Sequence, residues 1–212
     1  MKKLICLFLS LILTLSLAAC GSQSAETTAG TEGSSGTRTI TDRRGRQVEI
    51  PAQVDTIVCL GSGAPRIAAY LQVTDMMVGA EDFDKADVTV RRDYSWVYRD
   101  TLKDLPSVGS GGGSGENNAY AEEIIKLQPD VILAGYTAES ADELQNLTGI
   151  PVVSVSYSSI NFVDESFYEA VRIFAQVVGA EARAEELLRF IDECKADLIK
   201  RTADAWESCS CY

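Results

Sequence analysis

Histidine is missing from all 212 residues of this chain. Without it no Ser-His-Asp or Cys-His arrangement can be assembled, so the usual nucleophile–base chemistry is excluded. The same absence argues against a bare zinc or manganese ion held through imidazoles, and no spacing among the cysteines suits a zinc site. Phosphate-loop chemistry lacks its signature, since neither glycine-rich stretch is followed by Gly-Lys-Ser/Thr. Positive charge is scarce: 19 Lys and Arg face 31 Asp and Glu, for a net charge of −12. A surface that acidic repels phosphate backbones and anionic lipid, which excludes nucleic acid as a partner. The longest apolar run, Leu4 to Leu17, is shorter than the roughly 20 residues of a spanning helix.

That run has another reading. Lys2 and Lys3 precede it, and Leu17-Ala18-Ala19-Cys20 follows it. A charged start, a short apolar segment and small residues at a cut describe a secretory signal over residues 1–19. Leu-Ala-Ala-Cys resembles a bacterial lipoprotein signal, which implies that Cys20 is lipidated and becomes the first mature residue. Acyl chains contribute about 0.8 kcal/mol per buried CH₂, enough together to hold a domain at a bilayer surface. Losing Lys2 and Lys3 lowers the basic count to 17 and leaves a mature net charge of −14. Residues 20–37 follow as a Gly/Ser/Thr/Ala/Glu tether with no large apolar side chain to bury. Cys59 and Cys194 lie in apolar patterns and are expected to be buried thiols.

Order is expected from about Arg38. Thr39-Ile40-Thr41 and Gln47-Val48-Glu49-Ile50 alternate around Arg44-Gly45 and predict a hairpin closed by Pro51. Short apolar strands are then expected at Thr56–Leu60, Met77–Ala80, Val131–Ala134 and Val152–Val155. Helices are expected from Pro65 to about Leu71, around 94–102, over Asn118–Gln128 and over Glu139–Leu147. Strands alternating with helices predict an α/β lobe with a parallel sheet and right-handed crossovers over residues 38–163. Two further helices are expected in 164–203, Asp164–Val178 and Glu181 to about Ala203, joined at Gly179. The second carries Ala184, Leu187, Leu188, Ile191, Cys194 and Leu198 at helical spacing, and its 23 residues would form a strut roughly 34 Å long. Residues 204–212 show no periodicity.

Together these segments resemble the solute-binding proteins of iron–siderophore, haem and cobalamin ABC importers. The resemblance rests on the hairpin with Asp42, Gly45 and Pro51, on Ile57–Gly61, Val78-Gly79 and Leu105–Gly109, and on Gly149-Ile150-Pro151-Val152. Its most specific part is the acidic-amphipathic helix that runs into Leu127-Gln128-Pro129-Asp130-Val131-Ile132. It implies two α/β lobes joined by one long helix, with the ligand between them. Only the first lobe and the joining helix match, so the chain is expected to be a truncated or frame-shifted product. The resemblance also implies a metal chelate as ligand, a permease and ATPase as partners, no intrinsic cofactor, a monomeric carrier and a lipid anchor to the cell membrane. It places Asp104 near a permease-contacting carboxylate.

Ligands of open α/β sheets sit beyond the carboxyl ends of the strands. Three loops are candidates. The first is Gly61-Ser62-Gly63 with Arg66 just inside the next helix. The second is the glycine loop 109–117, with Gly111, Gly112 and Asn117, the last or Asn118 as helix cap. The third pairs Tyr136 with Tyr157, past two further strands. Glycines admit a ligand close to the backbone, and helix-start amides favour an anionic oxygen. Arginine forks suit the carboxylate, catecholate or hydroxamate oxygens of ferric chelates, and aromatic rings stack on the chelator. Arg66 leads that set, followed by Arg91, Arg92 and the aromatic Tyr94, Trp96 and Tyr98. Tight turns, solvated charge and local packing are the plainer readings of the same residues. A molybdate- or tungstate-type oxyanion, held by amides and Ser62, Ser110 or Ser114, and cobalamin or haem are the alternative ligands. A lipid-tethered hydrolase and a lobe that binds nothing are the alternative functions.

Overall fold

A computed structural model describes residues 36–61, 63–86, 93–112, 115–157 and 164–208, with side chains to Thr202. The leader, Cys20, most of the tether, Ser62, Arg91, Arg92, Ser114, Ser158 and the last four residues lie outside the described residues.

The hairpin forms as expected, β1 (Thr37–Thr41) pairing antiparallel with β2 (Gln47–Pro51). Ile40, Val48 and Ile50 turn inward while Thr39, Thr41, Gln47 and Glu49 face out or lie half-buried, the period-two pattern of a half-covered ribbon. Beside it lies a parallel sheet in the order β4-β3-β5-β6, built from β3 (Ile57–Leu60), β4 (Met77–Gly79), β5 (Val131–Ala134) and β6 (Val152–Ser154). β3 and β5 are buried at every position, which is why both read as unbroken apolar runs. Ile57 and Cys59 point into one core with Ile67, Phe167, Val171 and Phe174. Val58 and Leu60 point into the other with Ile124, Ile132 and Leu144.

Helices cover both faces. α1 (Ala64–Tyr70) and α6 (Glu165–Val178) contribute to the first core, and α4 (Ala121–Leu127) and α5 (Ala138–Thr148) to the second. Two shorter segments, α2 (Asp82–Lys85) and α3 (Asp93–Leu102), fill the long connection after β4. α6 is capped by Asp164, whose Oδ1 accepts from the Phe167 N–H at 3.2 Å, and it stops at Gly179 with φ +72°.

Three expectations are corrected. α4 begins at Ala121 rather than Asn118, because residues 118–120 are extended: Ser110 N–H donates to Asn118 O and Tyr120 N–H to Val108 O. The last helix, α7 (Glu181–Ser208), runs past the boundary expected near Ala203. Cys194 is exposed rather than buried, because the apolar packing of α7 on the lobe runs through Ala184, Leu187, Leu188 and Ile191, and the next turn touches it only through Asp192 and Lys195 at Tyr168. Cys59 is buried as expected, and burial pushes its thiol far up.

Gly79 shows how closely the second core is filled. A Cβ there would lie 2.3 Å from Val108 Cγ1 and 3.2 Å from Leu127 Cδ1. Gly79→Ala is therefore expected to cost about 1–3 kcal/mol through overpacking. A urea melt of the variant reads this, and an unchanged midpoint would mean that the strand end has slack.

Candidate functional site at the carboxyl edge of the sheet

Chain order and strand order disagree at one place. From β3 the chain crosses to β4 on one side, then returns past β3 to β5 on the other. The loops after β3 and β5 therefore diverge at the sheet's carboxyl edge, where open α/β sheets form their crevice. Gly61 and Gly63 leave β3 there, Glu81 follows β4, Tyr136 follows β5 and Tyr157 follows β6.

Arg66 stands at this edge as part of a cluster. Its Nη1 donates to the Tyr157 hydroxyl at 3.2 Å and its Nε reaches Asp93 Oδ1 at 3.4 Å, while its Cζ lies 5.6 Å from the centre of the Tyr94 ring. The side chain keeps 27 % of its exposure, so it is not fully enclosed by these partners. Asp93 also accepts from the Tyr70 hydroxyl. Partial burial pushes the Asp93 carboxyl up, but hydrogen bonds from Tyr70, the Tyr94 amide and Arg66 outweigh it and hold Asp93 below the ordinary carboxylate range. Tyr157 is held in turn, its ring edge-on to Phe167 at 5.1 Å. Gly63 is glycine for the same reason: a Cβ would meet the Tyr157 ring at 2.5 Å. Beyond Asp93 a pocket of about 260 Å³ opens toward α7, lined by Tyr70, Tyr94, Tyr98, Arg183 and Leu187 among others.

The second cluster centres on Glu81. Only 2 % exposed, it accepts the Gly61 N–H through Oε1 at 2.9 Å. Burial pushes its carboxyl up to about 7; the Gly61 hydrogen bond pulls the other way, and the charges of Asp84 and Asp82 add to the rise. Asp84, also buried, accepts from the Tyr94 hydroxyl at 2.7 Å and so connects the two clusters.

Several expected ligand contacts have internal partners instead. The Gly61 amide, expected to meet an anionic oxygen, is taken by Glu81. Tyr136, expected on the ligand face, is 1 % exposed; its ring abuts Gly61 and its hydroxyl accepts from the Asn118 N–H at 3.3 Å. It is a wall of the crevice because its bulk fills the angle between the diverging loops. Gly111, at φ +73°, abuts Phe83 and Glu81, where a Cβ would sit 2.7 and 2.9 Å from their Cβ atoms; Gly112 lies over the Phe83 ring. Asn117 does not cap α4, because its Oδ1 accepts from the Ala119 N–H at 3.2 Å. Trp96 is 56 % exposed and covered on one face by Arg99 of its own helix, at 5.1 Å. Asp104 is exposed in the turn after α3.

Sequence reasoning missed Glu81, Asp93 and the reach of the hairpin turn to the site loops. At that turn Arg43 Nε donates to Ser156 O at 3.3 Å and Arg44 Nε to Tyr136 O at 3.1 Å, so two guanidinium groups steady the loops after β6 and β5. The signal was the basic run Arg43-Arg44-Gly45-Arg46, but its target lies 92 and 113 residues away.

A family model described as periplasmic binding protein matches residues 57–207. The chain belongs to that family. It is 28 % identical over 189 residues to the iron(3+)-hydroxamate-binding protein FhuD of Bacillus subtilis, covering 88 % of this chain and 52 % of that protein. The iron-uptake system-binding protein of the same organism is 26 % identical over 191 residues, covering 89 % and 54 %. Among solved structures, Staphylococcus aureus SirA complexed with staphyloferrin B superposes with a TM-score of 0.58 at 26 % identity, over 80 % of this chain and 53 % of that one. The chain spans about half the length of the curated relatives it matches. The parallel-sheet lobe and long final helix match the fold expected from sequence, and the family is one of solute binders rather than of enzymes.

Proposed function

We propose that this chain forms the first lobe and joining helix of an extracytoplasmic solute-binding component of an ABC importer, anchored through lipidated Cys20, which captures an iron(III)–siderophore-type chelate for a permease and ATPase. It binds without turnover, needs no cofactor of its own and acts as a monomer. One observation carries the reading: Arg66 is held at the switch point of the sheet by Tyr157, Tyr94 and Asp93 while its side chain stays partly exposed. Carboxylate or hydroxamate oxygens are what the N–H groups of a partly exposed guanidinium donate to. The names of the similar B. subtilis and S. aureus proteins support iron chelates as the class. An oxyanion held by backbone amides fits less well, since the Gly61 amide already serves a buried carboxyl that would repel it when ionised. Of the remaining candidates, Tyr157 and Trp96 offer ring surface, Arg92 and Ser62 stay candidates from the sequence alone, and Asp104 is the proposed permease contact.

The test is quenching of intrinsic fluorescence by a ferric hydroxamate, measured on the mature chain. Arg66→Ala is expected to weaken binding by roughly 5- to 100-fold, the loss of one charged hydrogen-bonded contact. No quenching by any ferric chelate, or equal affinities for the two proteins, would overturn the proposal. Molybdate serves as the competing probe, with binding indifferent to Arg66 as its signature.

A further inference from the structure

Glu81 sits where two loops meet. From one side the Gly61 N–H donates to its Oε1 at 2.9 Å. From the other, the loop 109–112 crosses so closely that a Cβ on Gly111 would come within 3.0 Å of Oε2, and one on Gly109 within 3.5 Å of Oε1. The same loop is fixed to the flanking backbone, with Asp82 N–H donating to Gly109 O at 2.8 Å and Phe83 N–H to Ser110 O at 3.2 Å. The ionisable groups that act on Glu81 or feel its charge are Asp82 and Asp84 on its own segment, the Cys59 thiol of β3 and the Tyr136 phenol after β5. None of these is a cation.

We infer that Glu81 is a proton-controlled pin between the Gly61 loop and the Gly109–Gly112 loop, a positioning residue that sets how far these loops stay closed on each other. The uncharged acid is at ease between them. Once ionised, a carboxylate in this enclosure has, among the described residues, a single hydrogen-bond donor and no counter-charge, so the state in which the loops part and water reaches it gains weight. In the parted state the carboxyl titrates in its ordinary range, whereas in the closed state burial pushes it up to about 7. The opening constant therefore climbs by up to about tenfold per pH unit between those two values and levels off above the higher one. Only the consequence for capture rests on the function proposed above. A rim that loosens as pH rises would tie solute affinity to protons through a residue that touches no solute.

The experiment needs no solute. Hydrogen exchange of the full chain is followed from pH 5 to 8.5, corrected for the intrinsic rate, with the Ile132 amide as internal reference because it donates to Pro151 O elsewhere in the sheet. In the wild type, protection of the Gly61 amide is expected to fall by about 10- to 100-fold over this range, while Ile132 stays level. In Glu81→Gln the Gly61 curve should be flat. Parallel curves for the two proteins, or constant protection in the wild type, would overturn the inference. A second reading on the wild type alone guards against a poorly folded variant: the Glu81 carboxyl carbon and the Gly61 amide proton should titrate by NMR with one shared midpoint near 7. A Glu81 midpoint in the ordinary glutamate range refutes the pin. Neither measurement depends on Arg66 or a chelate, so failure here leaves the solute-binding reading standing, and the reverse also holds.

Discussion

Replacing Asp42 with alanine is expected to remove about 3–5 kcal/mol of folding stability, the largest single loss in the lobe outside its apolar cores. Asp42 is a carboxylate whose side chain is fully enclosed. Its Oδ1 accepts from the Arg44 and Arg46 amides at 2.9 Å each, and its Oδ2 from Arg46 Nη1 at 2.9 Å and the Ser154 amide at 3.1 Å. These four donors come from the hairpin turn and from β6, so one side chain fastens the ribbon to the end of the sheet. Alanine leaves the three amides without this acceptor and takes one of two carboxylates from the largely covered Arg46 guanidinium, whose Nη1 keeps Val152 O and whose Nε keeps Asp142 Oδ1. Asparagine is expected to recover less than half of the loss. It restores the Oδ1 contacts but turns an NH₂ toward Ser154 N–H and Arg46, donor against donor. Urea unfolding of both variants decides the matter: a loss below about 1 kcal/mol for alanine would mean that the turn is held elsewhere. The effect should spread, because Arg43 and Arg44 reach the loops of Tyr157 and Tyr136 only while this turn is docked.

The fold was open to reading because its signals are local. β3 and β5 announce themselves as Ile-Val-Cys-Leu and Val-Ile-Leu-Ala, the unbroken apolar runs of strands covered on both faces. The α6 stop at Gly179 and the α1 start at Pro65 are written in single residues. Where a neighbour overrode local preference, the sequence misled. Asn118 looks like a helix cap, yet residues 118–120 are drawn into extended pairing with 108–110 before α4 can begin. Cys194 shares the apolar stripe of α7, but a stripe shows which face would pack and not how far a neighbour extends. At the site, Arg66 was legible as a cation just inside a helix that starts at the sheet edge. Asp93, 27 residues away, was not, and Tyr157 was legible as a ligand candidate but not as a partner of Arg66 91 residues earlier. Gly61 and Gly111 were legible as glycines needing a reason. That reason proved to be Tyr136, Phe83 and Glu81, which only the folded arrangement brings beside them.

Glu81→Gln should make the protein more stable at pH 8 and nearly neutral at pH 5, a reversal of the usual cost of removing a buried hydrogen-bonded acid. Unfolded, Glu81 titrates near its ordinary 4.5; folded, burial raises it to about 7. Below the lower value both states hold the proton and the group is indifferent to folding. Between the two the folded state retains a proton that the unfolded state has released, so each rise in pH favours unfolding. Above the higher value both are ionised, and the full difference stands against the native state. The stabilising contribution of the neutral acid is thus complete at low pH and lost as pH rises through the folded value, opposite in sign to an ion-paired aspartate. A gap of that size corresponds to about 3 kcal/mol at pH 8 and less than about 1 kcal/mol at pH 5. Glutamine keeps a carbonyl for the Gly61 N–H and never ionises, so it escapes the penalty. For a domain of this size the variant should melt about 5–10 °C above the wild type at pH 8 and within a few degrees of it at pH 5. Thermal melts at the two pH values separate this from a plain packing effect, which would displace both by the same amount. If the melting difference between variant and wild type is the same at pH 5 and pH 8, Glu81 is ordinary in its acidity and the loops above it close without regard to protons.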